Sequence, residues 1–130
     1  MTEAETRPFP VAVEAVHEAL KLWHKPPAAG SPLHGLLLFQ QARAVPHTSD
    51  RLATNQVLLR ALQTMEQTHS RETTILRQRY LDGQSAHSVA NRVNLSEATL
   101  FRHQNDALTL LTTVIQQQEN AARKIGRAHV

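Results

Sequence analysis

The side chains best suited to recognising another molecule are grouped at the outward positions of one predicted helix: Ala98, Phe101, Arg102 and Asn105. This helix is predicted to begin after Ser96, with Leu100 on its inner face. An outward arginine can pair with the edge of a guanine base, and an outward amide, from Asn105 or from Gln104, with adenine. The pattern therefore favours non-covalent recognition of a nucleic acid.

Residue types used in catalysis are present without the spacing that catalysis requires. The chain has eight histidines, and none has the His-x-x-x-His spacing that places two imidazoles on one helix face. The four glycines form no phosphate-binding loop. Five serines stand where helix caps are expected: Ser31, Ser49, Ser70, Ser85 and Ser96. We therefore expect neither enzymatic activity, nor a cofactor, nor a metal site.

The outward residues would be positioned by a short helix, a tight turn and a longer helix. The capping and turn residues that define these elements are Ser85, Asn94 and Ser96. This order predicts a helix-turn-helix, which places its second helix in a DNA groove. Gln84 and Arg92 flank the short helix and are predicted to lie near backbone phosphates.

The segment upstream of this pair extends the pattern. Its matching features, in order, are Arg71-Glu72, Leu76-Arg77-Gln78-Arg79-Tyr80, Gly83, Val89-Ala90, Ser96 and Ala107-Leu108. Together they resemble region four of bacterial sigma factors, the domain that reads the upstream promoter element. The resemblance spans residues 70–114 and implies a DNA-binding, transcription-regulatory domain with double-stranded DNA as its partner.

Some residues of the second helix fit DNA less well. Glu97 and Asp106 would repel phosphates, which leaves Arg102 as the fixed positive charge, and the aromatic ring of Phe101 suits a protein contact. Residues 99–104, followed by Ala107-Leu108, are also similar to sigma-like domains at the amino terminus of STAND-type signalling ATPases. The alternative function is therefore a protein-interaction or signalling module at the amino terminus of a larger nucleotide-binding regulator.

The rest of the chain is divided by proline-containing breaks at residues 25–30 and 45–48. The predicted organisation is a flexible tail at 1–10, amino-terminal helices packing on the motif at 11–69, the sigma-like unit at 70–120 and a second tail at 121–130. The amino-terminal helices are predicted at 11–24, at 33–44 after a Ser31 cap, and from Ser49 or Asp50 to about Gln67. The inner face of the third helix is assigned to Leu52, Leu59, Leu62 and Met65.

These elements predict an all-α bundle of about six helices, ending in a helix-turn-helix with a long last helix. That helix carries an apolar stripe: Leu110, Leu111, Val114 and Ile115. Packing of the stripe against the amino-terminal helices is favoured over the alternative, a homodimer through the last helix.

Composition sets limits on the class of protein. The chain has 130 residues, 41% hydrophobic and only 4% aromatic, which favours packed helices over sheets. It contains no cysteine, so we expect a reducing, cytoplasmic setting, and no apolar run approaches the roughly 20 residues that span a membrane. The formal net charge of +3 is too small to indicate a partner.

The last six residues, Ile125 to Val130, match the in-frame translation of a common sequencing-library adapter, ATCGGAAGAGCACACGTC. The adapter bases before this stretch complete a lysine codon, consistent with Lys124, and the codon after it is a stop. We therefore expect residues from Ile125 onward to be an artefact and the natural chain to continue beyond Arg123.

Overall fold

A computed structural model describes residues 9–25 and 30–128 of the chain. The described residues form six α-helices and no β-strand: α1 Val13–Lys21, α2 Leu37–Arg43, α3 Asp50–Glu66, α4 Ser70–Leu76, α5 Ala86–Arg92 and α6 Glu97–Ala128. A π-helical turn at Arg77–Leu81 continues α4. The predicted all-α bundle with a long last helix is confirmed.

Two apolar cores share the last helix. The main core joins α1, α2 and α3 to the middle of α6, and its fully buried side chains include Leu20, Leu58, Leu62, Leu111 and Ile115. The smaller core joins α4 and α5 to the first turns of α6 through Ile75, Val89, Ala90 and Leu100. Of the α6 stripe, Leu111 and Ile115 are fully buried in the main core, and Leu110 and Val114 are partly buried against it.

The start of α2 differs from the sequence prediction. Ser31 accepts a hydrogen bond from the backbone N–H of Leu33 at 3.1 Å, as a cap would, but a separate turn follows and the helix begins only at Leu37. Leu36, at the cap position, gives no side-chain cap. The missing cap comes from α6, where the buried carboxylate of Glu119 accepts hydrogen bonds from the first residues of α2.

The inner face of α3 was also predicted incorrectly in part. Ser49 does cap this helix, accepting a hydrogen bond from the N–H of Leu52 at 3.2 Å. However, the side chain of Leu52 is 46% exposed and Leu59 is only half-buried. The buried face instead comprises Ala53, Thr54, Val57, Leu58, Ala61, Leu62 and Met65. The alanines of this face let neighbouring helices approach closely. Because part of the face consists of these small residues, the spacing of leucines alone does not identify it.

The segment before α1 is held against the far half of α6. Of the predicted tail at 1–10, residues 1–8 lie outside the described residues. The side-chain amide of Gln116 accepts a hydrogen bond from the N–H of Val11 at 2.8 Å and donates one to the carbonyl of Phe9 at 2.6 Å. The guanidinium of Arg123 lies 4.6 Å from the centre of the Phe9 ring. At the other end, α6 continues past residue 120 to Ala128.

Candidate nucleic-acid interface

The helix-turn-helix is built from local hydrogen bonds at α5, the turn and α6. Ser85 accepts a hydrogen bond from the N–H of Ser88 at 3.1 Å, and Ser96 accepts one from the N–H of Thr99 at 3.2 Å. Asn94 has φ of 58°, the left-handed conformation that asparagine tolerates better than most residues. Both predicted caps and the predicted turn residue are therefore present.

The angle between the two helices is set by the smaller core. Val89 and Ala90 of α5 pack against Leu100 of α6 and Ile75 of α4, and all four are buried. Because these side chains face inward, the opposite side of α6 faces solvent. The candidate surface thus lies on a helix whose inner face is packed against α4 and α5.

Arg79, in the π-helical turn, locks this arrangement and was not recognised from the sequence as a positioning residue. Its guanidinium donates to the side-chain oxygen of Gln104 at 2.9 Å and to the backbone carbonyl of Gln84 at 2.8 Å. Gln104 is only 6% exposed, so it does not offer its amide to a base as an alternative to Asn105. The motif at Leu76–Tyr80 contains Arg79, but its spacing does not identify Gln104 as the partner.

The predicted site residues fall into two groups. Those on the outward side of α6 are all exposed and lie within its first turns: Ala98, Phe101, Arg102 and Asn105. Arg92 is exposed at the end of α5. Gln84 is half-buried, and its side-chain oxygen is buried without a hydrogen-bond partner among the described residues. The structure therefore brings four of these residues together on one helix face, with Arg92 and Gln84 on the preceding elements.

The charges on this face are mixed. Arg102 donates a hydrogen bond to the hydroxyl of Thr99 at 3.4 Å, and it forms no ion pair with any described residue. Glu97 and Asp106 are exposed on the same stretch of helix. A single unpaired guanidinium between two carboxylates can recognise one acceptor group, but it supplies little general attraction for phosphates.

The amino-terminal helix borders this face. Packing of the amino-terminal helices on the motif was predicted, but the position of α1 beside Asn105 was not. Val13, Glu14 and His17 of α1 and Asn105, Leu108 and Thr109 of α6 line a shallow cavity of about 240 Å³. Asn105 therefore stands at the edge of the exposed surface, beside α1. The open part of the face is the stretch from Glu97 to Arg102.

A pair of rings anchors α1 in this position. The Tyr80 hydroxyl and His17 Nε2 are 2.9 Å apart, and the rings meet edge to face with centroids 5.7 Å apart. Burial lowers the pKa of His17, an effect that Lys21 reinforces and Glu18 opposes. Burial raises the pKa of Tyr80, while Arg79 acts in the opposite direction. The His17 tautomer with its proton on Nδ1 would accept this hydrogen bond from the Tyr80 hydroxyl at Nε2.

Within residues 9–25 and 30–128, no cluster of three or more histidine, aspartate or glutamate side chains is arranged to hold a metal ion. None of the helices in this part of the chain combines the length and the apolar character needed to cross a membrane.

No protein-family model matches this sequence, and comparisons with curated proteins and with solved structures gave no match.

Proposed function

We propose that this chain is a DNA-binding, transcription-regulatory domain of the sigma-like helix-turn-helix type. The observation that carries the proposal is the exposed cluster of Ala98, Phe101 and Arg102 on the first turns of α6. These residues project from the second helix of a capped helix-turn-helix, on the side that enters a major groove in this class of motif. The burial of Leu100 on the opposite side fixes their direction.

The polar residues have distinct roles in this proposal. Arg102, which has no ion-pair partner among the described residues, would contact a guanine edge, and Asn105 would contact an adenine at the margin of the surface. Arg92, exposed at the end of α5, would bind a backbone phosphate. The half-buried Gln84 would contribute to the same phosphate region from the loop before α5.

The proposal is tested by fluorescence anisotropy of residues 1–123 with mixed-sequence duplex DNA over a range of salt concentrations. We expect binding with a Kd on the order of micromolar at low salt, weakening as salt rises. Arg102→Glu should abolish it. Arg51→Glu is the matched control, because Arg51 is exposed on α3, outside the helix-turn-helix, and the substitution changes net charge equally. Equal loss in both variants, or no binding at low salt, would contradict the proposal.

The alternative is a protein-interaction module at the amino terminus of a larger nucleotide-binding regulator. The 45% exposure of Phe101 favours it, since an aromatic ring between acidic neighbours suits a protein surface as well as a base. Absence of DNA binding at low salt, together with a nucleotide-binding motif encoded within about a hundred residues downstream, would support this second function.

A further inference from the structure

We propose that Ala98 and Phe101 recognise the 5-methyl group of a pyrimidine in the major groove, beside a guanine contacted by Arg102. This inference rests on the proposed DNA binding and specifies what the surface would read. It predicts that the affinity for DNA depends measurably on a single methyl group, which is present in thymine and in 5-methylcytosine.

The apolar pair has the geometry for such a contact. Ala98 and Phe101 are three residues apart on α6, so their side chains are neighbours on one face. Phe101 is 45% exposed, and within residues 86–124 it is the one large apolar side chain that is exposed. A phenyl ring offers no conventional hydrogen bond, and the 5-methyl group of thymine is the apolar feature of the major-groove edges. The two surfaces are therefore chemically complementary.

Arg102 determines what lies next to the methyl group. Its guanidinium Nη2 lies 3.4 Å from the Thr99 hydroxyl, about one turn back toward the start of the helix. A guanidinium in this position suits the two acceptors of guanine, O6 and N7. The methylated pyrimidine and the guanine would then occupy neighbouring base pairs.

The acidic neighbours are consistent with selective contacts. Glu97 and Asp106 are exposed at either side of the cluster, and both carboxylates disfavour close approach to phosphates. Attraction to the backbone is weak here, so a larger share of the binding free energy must come from base edges. A methyl contact adds to the affinity only when the methylated base is at the matching position. The contact therefore helps to discriminate between DNA sequences.

The test begins with selection of preferred duplexes from a random library by the full chain. In the selected duplex, thymine is replaced by deoxyuridine, which removes only the methyl group. We expect affinity to fall roughly fourfold, the effect of losing one buried methyl contact. In a second duplex, with a cytosine–guanine pair at that position, 5-methylcytosine should bind roughly fourfold more tightly than cytosine.

Variants assign the effect to the proposed side chains. Phe101→Ala should remove both methyl-dependent differences while leaving the thermal unfolding midpoint close to wild type, because the ring is not part of either core. Leu52→Ala is the matched control, since Leu52 is equally exposed but lies on α3, and it should retain both differences.

The outcomes separate this inference from the function on which it depends. Sequence-selective binding with equal affinity for thymine and deoxyuridine would overturn the methyl contact and leave DNA binding intact. Methyl dependence that persists in Phe101→Ala and in Ala98→Gly would overturn the assignment to these residues. Failure to bind any duplex at low salt would overturn both proposals.

Discussion

The carboxylate of Glu119 caps α2 through the backbone N–H of Leu37, an interaction between residues 82 positions apart in the chain, at a distance of 2.9 Å. The other carboxylate oxygen accepts from the N–H of Leu38 at 3.1 Å. Glu119 is fully buried, and Arg123 pairs with it from the next turn of α6. Its charge is therefore compensated by an arginine and by the positive end of a helix.

Replacing this carboxylate should destabilise the whole domain. Glu119→Ala leaves two helix N–H groups and one guanidinium without their acceptor, so we expect the free energy of unfolding to fall by about 3 kcal/mol. Glu119→Gln, which keeps one acceptor, should lose less. Urea unfolding gives both values. The control is Gln117→Ala, at an exposed position of α6, and a similar loss there would contradict the capping role.

The turn between α5 and α6 should tolerate only residues that adopt a positive φ. Asn94→Gly should leave stability unchanged or slightly higher, because glycine adopts the left-handed conformation without steric cost. Asn94→Val should lower the free energy of unfolding by about 1–2 kcal/mol, since a β-branched side chain is strained at φ of 58°. Thermal and urea unfolding measure this difference. Equal stability of the two variants would show that the turn relaxes to another conformation.

The turn also marks the kind of structure that can be predicted from the sequence. Ser85 and Ser96 accept hydrogen bonds from backbone N–H groups three residues away, and Asn94 adopts a positive φ itself, so their residue types alone indicate their positions. The cap on α2 could not be predicted in this way, because Glu119 comes near Leu37 only after α6 has packed. The buried face of α3 depends on the same packing. Local capping is encoded locally, whereas helix starts and faces that rely on a distant partner are not.

Stability should fall as the pH is lowered through the range in which His17 titrates. Burial holds the pKa of His17 in the folded chain below its ordinary value of 6.5, so the unfolded chain binds more protons as pH falls below about 6.5. The stabilising contribution is complete above that pH and decreases below it. Urea unfolding between pH 7.5 and 5 should show a smaller decrease in His17→Gln than in wild type. An unchanged pH dependence would exclude His17 as its source.

Removing a carboxylate of α1 that borders the proposed groove-facing surface should strengthen DNA binding. Glu14 lines the cavity that also contains Asn105, and its charge would oppose an approaching phosphate. We expect Glu14→Gln to increase affinity roughly two- to threefold at low salt, and less at high salt because of screening. Glu18→Gln is the control, with the same change of charge on α1 at a residue paired with Lys21. Equal gains in the two variants would indicate only an effect of net charge.

The outward residues of the candidate surface could be predicted from the sequence, whereas the contacts around them could not. The 3.6-residue period of a helix is enough to place Ala98, Phe101 and Arg102 on the side opposite Leu100. The contact of Arg79 with Gln104 and the position of α1 beside Asn105 were not predictable, because both arise from packing between separate elements.

The 32-residue length of α6 has a consequence for how the two ends of the domain communicate. The helix extends about 48 Å. The candidate groove-facing residues lie near its start, and Glu119 lies more than two turns beyond Leu111, a residue of the main core. Any ligand bound only by the folded state stabilises every element whose opening requires unfolding of the whole domain. DNA bound at Arg102 would therefore slow hydrogen exchange at the amide of Leu37. That remote amide would serve as a reporter of occupancy without a label on the binding surface.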